Sequence, residues 1–521
     1  METTELRRST LERKDRDELV TIATALGSKP PSRARKAEIV DLILSTATTD
    51  AATDSDAGKE AGEDEENGEA GTYHAGDEEE FDFGEVTTKG GQNKGKRDQK
   101  GRGNDGGGKS RDEAAGPGNR RQRRRGRGRD NSQRDSESWD GEPVNVEGFL
   151  DLRDDGYGFL RVGGFKGTKD DAYVSVKQVR QHGLRKGDHL VGTSRPANRN
   201  EKNPAMLTIA SVNGDDAEKA KDRPRFDDLT PLFPDEKLVQ EMPGEPDNMT
   251  ARIIDLLCPI GKGQRGLIVS PPKAGKTTIM KNITRSIETN NPDVHLIVLL
   301  VDERPEEVTD MKRWLLNGEV AASTFDRPAD EHTALAEITI ERAKRMVESG
   351  RDVVIILDGI TRLARAYNLA APATGRVMSG GVDSGALYPP KKFFGAARNV
   401  EEGGSLTILA TALVETGSKM DEVIFEEFKG TGNMELRLDR RSAERRIYPA
   451  IDVDASSTRQ EELLFEPKQL DQVWKLRRVL SGMAGDGDKG PGAGLELLMD
   501  RLQSFKTNDE FLKEVAKGPL A

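Results

Sequence analysis

The chain is poor in the residues that build covalent cross-links and metal cages. One cysteine, Cys258, and five histidines stand among 521 residues, which excludes a disulfide framework, a cysteine-rich zinc site and a thiol redox pair. Aromatic residues make up 5% and hydrophobic residues 34%, against 33% charged and 55 glycines. That mixture is too polar to bury a core along its whole length, so part of the chain is expected to be disordered. Long apolar runs are missing too: stretches such as Leu296 to Val301 are far shorter than a membrane crossing, and Met1 to Thr10 is charged. Neither a signal peptide nor a transmembrane helix is expected, and the reading is of a cytoplasmic protein without a membrane partner. The formal net charge is −12, and its distribution decides what it means.

The distribution is very uneven. Residues 1–47 carry helical periodicity at Leu11, Leu19, Ile22 and Leu26, then at Ile39, Leu42 and Ile43 beyond a break at Gly27 to Pro31. They are expected to form a small helical bundle. Residues 48–140 hold almost nothing to bury and are expected to be a disordered insert. Its first half, Asp50 to Glu85, sums to about −14 and its second, Lys89 to Arg129, to about +11, leaving about −9 elsewhere. The run Arg120 to Arg129, six arginines and a seventh interleaved with Gln122, Gly126 and Gly128, reads as an arm for phosphates or as a solubilising linker. Over 141–215, five short alternating runs separated by turns predict a small β-barrel of the OB type. Residues 216–248 read as a linker. From 249 to 521, strands alternate with helices, which predicts a parallel sheet with crossover helices.

The strongest chemical signal follows the strand ending at Val269: Ser270-Pro271-Pro272-Lys273-Ala274-Gly275-Lys276-Thr277-Thr278. A backbone nest at a helix N-terminus binds phosphate oxygens, Lys276 can reach the β and γ phosphates, and Thr277 can ligate magnesium. ATP and Mg2+ are the ligands this predicts, although Ser270 stands where the general pattern wants glycine. Two acids close later strands. Asp358 follows Val353 to Leu357 and would hold the magnesium through water, while Glu303 follows Leu296 to Asp302 and would orient the attacking water. In the barrel, Gly156-Tyr157-Gly158-Phe159-Leu160-Arg161 places two aromatics on one strand face with an arginine beside them, a platform on which bases can stack, with glycines that would let them approach.

Taken together these residues resemble the bacterial transcription termination factor Rho family. The likeness is weak over residues 5–46 and strong over about 144–521. It is carried by Asp302-Glu303-Arg304-Pro305-Glu306-Glu307-Val308-Thr309, by Thr361 to Asn368, by Phe393 to Asn399 and by Phe428 to Leu436. The phosphate loop with Ser270 is close to the family's own form. The resemblance implies a RecA-like ATPase core behind a cold-shock-like OB domain, working as a homohexameric RNA helicase with RNA polymerase and the elongation factor NusG as partners. It implies that Pro272, Lys273, Ala274, Gly275, Lys276, Thr277 and Thr278 hold ATP, with Tyr448 against the adenine where members usually have phenylalanine. It further implies Thr277 and Asp358 at the metal, Glu303 as water activator, Arg362 in contact with this network, and Arg459 as an arginine finger from a neighbouring subunit with Arg446 assisting.

Tyr157, Phe159, Arg161, Asp171 and Tyr173 match the family's primary RNA site, while Asn203 stands where many members place a base-enclosing tyrosine. Gly375, Arg376, Val377 and Lys419 match its channel loops, with Arg376 in place of a common lysine. The expected function is therefore an RNA-dependent ATPase and translocase that terminates transcription. Two other readings compete. A rotary-ATPase subunit would lack the base-stacking barrel, and a non-catalytic RNA-binding or condensate-forming protein would have no use for the set Lys276, Thr277, Glu303, Asp358 and Arg459.

Overall fold

The computed structural model describes Leu19, Lys36 and Val40 and residues 141–198, 201–371, 376–484 and 492–518. Leu19, Lys36 and Val40 are helical, with Leu19 and Val40 buried. The rest of the expected N-terminal bundle, and the expected disordered insert up to residue 140, lie outside the described residues. Among the described residues no helix is long and apolar enough to cross a membrane.

The barrel is built from β1 (Val144–Leu152), β2 (Gly158–Arg161), β3 (Ala172–Val174), β4 (His189–Arg195), β5 (Ala205–Val212) and the short β6 (Asp215–Asp216), with one helix, α1 (Val176–His182), between β3 and β4. The strands follow the order β3-β2-β1-β4-β5-β6, and a single parallel pair, Tyr173 with Ala205, closes β3 onto β5. Strand alternation sends Leu150, Leu160, Ala172, Val174 and Leu190 into one small core. Ser175 and Gln178 cap α1 reciprocally, which fixes where the chain turns out of β3.

The larger sheet uses β7 (Pro231–Leu232), β8 (Arg265–Ser270), β9 (His295–Glu303), β10 (Glu319–Thr324), β11 (Asp352–Asp358), β14 (Arg398–Val400), β15 (Ser405–Leu413), β16 (Met434–Arg437) and β17 (Ser457–Thr458). A separate two-residue hairpin pairs β12 (Val377–Met378) with β13 (Val382–Asp383). The main order is β10-β9-β11-β15-β8-β16-β17, parallel from β10 to β16. These strands read as nearly continuous apolar runs because both faces are covered. Ile268, Val298, Ile356 and Leu409 face one core, and Leu267, Val269, Leu299, Leu357 and Ile408 face the other.

Crossover helices cover the faces: α2 (Met249–Leu257), α3 (Lys276–Asn290), α4 (Pro305–Trp314), α5 (Ala329–Glu348), α6 (Ile360–Ala370), α7 (Tyr388–Gly395) and α8 (Lys419–Lys429). Four more follow: α9 (Arg440–Glu444), α10 (Pro467–Ala484), α11 (Gly492–Gln503) and α12 (Asn508–Val515). Pro305 opens α4, with Glu306 and Glu307 in its first turn and Lys312 and Arg313 in its last, a charge order that suits the helix dipole.

Two features depart from the sequence reading. The stretch read as a linker is fastened to the large sheet: Phe226, Leu229, Leu238 and Gln240 are buried in it, and β7 pairs with β14. A polar segment hides such anchors because they follow no helical or strand period. The barrel also sits directly on α5. Arg185 pairs with Glu348 at 3.0 Å, the Phe226 amide donates to the same carboxylate at 2.8 Å, and the Arg342 guanidinium lies 3.8 Å from the Phe149 ring centre.

Candidate functional site

All parallel strands of the large sheet end on one side, and their carboxyl ends build an open cleft of about 1470 Å³. Ser270 ends β8, Glu303 ends β9 and Asp358 ends β11. Between Ser270 and α3 the chain forms a nest in which Lys273 has φ +66° and Gly275 φ +94°. Gly275 caps α3 without a side chain, so the first amides of the helix are left for an anion. Pro272 to Thr278 all line the cleft, joined by Tyr448. A Cβ on Gly275 would meet the Tyr448 ring at 3.6 Å, so the ring lies over the start of the helix.

Behind the nest stands a buried charge cluster. Glu303 and Asp358 are 1% and 2% exposed. Lys276 binds Asp358 and lies 3.4 Å from Glu303. Thr411 donates to Asp358 at 2.8 Å and accepts from the Gly359 amide at 2.7 Å, fixing that carboxylate at the start of α6. Arg362 donates to the Asp302 carbonyl, and its Nη1 lies 3.2 Å from Glu303 Oε2. That contact pairs charges without hydrogen-bond alignment, and Glu303 Oε2 has no hydrogen-bond partner. The oxygen is buried and available to accept from a water. Burial, then the neighbouring Asp358 charge, raises the Glu303 pKa above the usual carboxylate value, with Lys276 and Arg362 opposing.

Oxygens of Glu303, Glu307 and Asp358 lie within 4.8 Å of one another. Carboxylate oxygens are the hard donors that a magnesium ion prefers, and Thr277 lines the same cleft as Glu303 and Glu307, so the residues present fit that ion. Glu307 and Thr411 escaped sequence reading. The first lies in the first turn of α4, just past the strand that ends at Glu303, whereas Thr411 is an unremarkable residue inside an apolar strand.

Arg459 lies elsewhere. Its amide donates to the Asn433 carbonyl, and Asn433 in turn accepts from the backbone of Arg265 at the start of β8. The phosphate nest follows the other end of that strand, roughly 17 Å away for six residues. Within one chain Arg459 therefore does not approach the cleft. Arg446, at φ +65°, lines a smaller cleft of about 330 Å³ with Pro272, Lys273 and Tyr448. The structure separates the two arginines that the resemblance had paired.

On the barrel the rings of Tyr157, Phe159 and Tyr173 form a triangle with centroids 5.7 to 6.1 Å apart. They point away from the core, because the alternate positions Gly158, Leu160, Ala172 and Val174 point into the barrel. Core filling is excluded as their role. The glycines have a reason in the fold: Gly156 turns at φ +84°, and a Cβ on Gly158 would strike Leu150 at 2.6 Å. Arg161 is held by Asp151 and, at 2.6 Å, by Asp171, which is fully buried and also accepts from Thr168. Asp171 thus positions the arginine and offers no surface of its own. Asn203 donates to the Lys169 and Asp171 carbonyls, bracing the same loop.

Of the two loops expected at a channel, Gly375 lies outside the described residues, while Arg376, Val377 and Lys419 are exposed. The loops meet: a Cβ on Gly380 would touch the Lys419 carbonyl at 2.8 Å. Both are tied to α6. Asn368 binds the Gly381 carbonyl and the Asp383 amide, and Arg365 holds Asp421, which also accepts from Thr416 at 2.6 Å.

Residues 146–218 match the family described as Rho termination factor, RNA-binding domain, and residues 250–458 match the ATP synthase alpha/beta family, nucleotide-binding domain. The chain is 59% identical over 377 residues to transcription termination factor Rho of Streptomyces lividans, an alignment covering 72% of this chain and 52% of that protein. To the factor of Mycobacterium leprae it is 57% identical over 379 residues, covering 71% and 60%. To that of Pseudomonas aeruginosa it is 54% identical over 380 residues, covering 72% and 89%. The chain thus spans little more than half the length of the first of these relatives.

Proposed function

The chain belongs to the transcription termination factor Rho family, and from that premise we propose that it is an RNA-stimulated ATPase that moves along single-stranded RNA and terminates transcription. The observation that carries this reading is α6. Its first turns bear Arg362 against Glu303, and its last turns hold both glycine-rich loops through Arg365 and Asn368. RNA that displaced the loops would pull on the helix that faces the water-activating carboxylate. Binding of RNA and hydrolysis of ATP are then coupled through one rigid element.

In this reading the nest from Pro272 to Thr278 and Lys273 bind the ATP phosphates, and Tyr448 stacks on the adenine. Lys276 exchanges its carboxylate partners for β and γ phosphate oxygens. Thr277 and Asp358 hold the magnesium, whose charge would offset that of the phosphates. Glu303 orients the attacking water and accepts its proton, helped by its raised pKa. Arg459, too far from the cleft of its own chain, serves the cleft of the next subunit in a homohexamer, which makes hydrolysis depend on assembly. Arg446 acts beside Lys273 in its own chain. The barrel rings stack RNA bases, while Arg376 and Lys419 follow the RNA backbone. The reading assigns a cytoplasmic setting and, through the resemblance, RNA polymerase and NusG as partners. The non-catalytic alternative is disfavoured by the buried Glu303 and Asp358 carboxylates that Lys276 bridges, since burying charge without chemical use only costs stability.

The test is ATP hydrolysis with and without a long unstructured cytosine-rich RNA, for the wild type and for Glu303→Ala and Arg459→Ala. Strong RNA stimulation that both substitutions abolish is expected. Turnover indifferent to RNA would withdraw the termination reading.

A further inference from the structure

Glu303 owes its aim to a bulge. Along β9 and β10, Val301 pairs with Ser323 and Glu303 pairs with Thr324, so Asp302 is an extra residue on β9. Its φ of +56° lies in the left-handed region, so the backbone turns sharply there. Bulges re-aim side chains, and this one turns Glu303 out of the sheet into the nucleotide cleft. It is pinned from outside by Arg362 at the Asp302 carbonyl and by the Phe325 amide, which donates to the Glu303 carbonyl at 3.1 Å.

The β10 side of the bulge is held by a second, buried contact. Ser323 Oγ and His332 Nδ1 share a hydrogen bond of 2.8 Å, with the two residues 2% and 4% exposed. His332 belongs to the first turns of α5, the helix on which the barrel rests. Burial lowers the His332 pKa, which favours the neutral ring. Ser323 has a further neighbour. It lines a cavity of about 410 Å³ between α5 and the barrel, together with Arg327 and Glu331 on one side and Asp151, Arg161 and Phe165 on the other. Arg161 is the arginine beside the stacking rings. One serine therefore sits beside the bulge that aims Glu303 and lines the cavity whose opposite wall is the RNA-binding barrel.

We propose that Ser323 and His332 are positioning residues for Glu303: their hydrogen bond fixes the β9–β10 bulge and carries the state of the barrel's RNA face to the water-activating carboxylate. The inference rests on the reading of the chain as an RNA-stimulated ATPase. It adds a route separate from α6, running through α5 from the barrel and not from the channel loops.

The experiment compares Ser323→Ala and His332→Phe, singly and together, with His332→Asn, whose amide lies where Nδ1 does, as the conservative variant and Val347→Ala as a packing control on the same helix. For each, kcat and KM for ATP at saturating RNA, turnover without RNA, RNA affinity and thermal melting are measured. Each single substitution is expected to lower the RNA-stimulated kcat about tenfold, with KM and RNA affinity moving less than twofold. The double variant should be no slower than either single one, because both remove one bond. His332→Asn should recover part of the loss, and Val347→Ala should lower the melting temperature while sparing kcat below it. A wild type stimulated by RNA alongside single variants of unchanged kcat would overturn the inference, as would losses that multiply in the double variant. A wild type without RNA-stimulated turnover would instead overturn the functional reading, and this inference with it.

Discussion

In the nucleotide cleft, Glu303 and Asp358 are 1% and 2% exposed and their partners are charged. On the outer face of the barrel, Tyr173 is 37% exposed and its partners are other rings. Both regions are read here as gripping a nucleotide, yet one is buried charge and the other exposed aromatic surface. The difference follows from what each must do. Stabilising charge that develops on a phosphate requires fixed dipoles and ions in a site from which water is largely excluded. Holding a strand of changing sequence requires only π-faces, which every base can meet. The barrel's one arginine in this platform, Arg161, is itself tied down by two aspartates, so charge there orients and the rings are left as the presented surface.

The sharpest way to separate the two regions is to disable one and read the other. Arg459→Ala is expected to lower RNA-stimulated kcat by about 10³-fold or more, and Glu303→Ala by about 10² to 10⁴-fold. Equilibrium RNA binding to the barrel should change less than twofold in both. Mixed rings supply the discriminating control: because Arg459 lies at the far end of β8 from its own cleft, rings containing both variants should recover activity at those interfaces that receive an intact pair. An Arg459→Ala chain with full turnover would show that the two regions do not depend on a neighbour.

The next largest effect runs the other way. Tyr157→Ala and Phe159→Ala should each weaken RNA binding by about 1 to 3 kcal/mol, roughly 5 to 150-fold, and leave RNA-independent turnover intact. Titration of a labelled oligonucleotide and a steady-state ATPase assay check both halves. Loss of basal turnover on removing a ring would erase the distinction between the regions.

The two regions were also unequally legible in the sequence. The cleft is written in contiguous motifs at strand ends, so the phosphate nest, Glu303 and Asp358 could be placed from apolar runs followed by a charge. Thr411 could not, because a threonine within the buried strand β15 looks like any β-branched filler until the neighbouring strand brings Asp358 beside it. The barrel face was legible as an aromatic pair, but its glycines were misread. Only the cross-strand register reveals that Gly158 points at Leu150, since a one-residue difference in register sends a position to the opposite face. The segment around Phe226 failed for a third reason: a buried ring at a single short 3-10 turn has no period to detect. His332 carries no signal in the sequence, because its partner, Ser323, lies on a different element and is joined to it only by the fold.

The basic half of the insert offers a milder test. Residues 89–129 carry a net charge of about +11, and deleting them should make RNA binding less steeply dependent on salt. If the arm neutralises four or five phosphates, the slope of log affinity against log salt should become shallower by about 3. Turnover at saturating RNA should not change. An unchanged slope would leave the barrel and the channel loops as the whole RNA-binding apparatus.

The smallest effect concerns Glu303 alone. Its pKa lies above the ordinary glutamate value of 4.5 because burial and then Asp358 disfavour the ionised form, while a general base must be ionised to work. Turnover should therefore rise with pH through a midpoint above 4.5, while RNA affinity at the uncharged rings stays flat across the same range. The same shift has a consequence for stability. A carboxyl whose folded pKa is raised contributes its full stability below the unfolded value and loses it as pH climbs through the folded value. At neutral pH Glu303 thus weakens the fold, and Lys276 and Arg362 offset only part of the loss. Glu303→Gln, which keeps the shape and removes the charge, should raise the melting temperature at pH 7 by about 1 to 2 °C and have no such effect near pH 4. Lysine and arginine would then be left facing Asp358 with one carboxylate fewer, so a fall in melting temperature at pH 7 would mean that their pairing with Glu303 outweighs its burial. In that case the cleft would be held together by its charges, as the barrel face is by its rings, and the contrast between the two regions would narrow to chemistry alone.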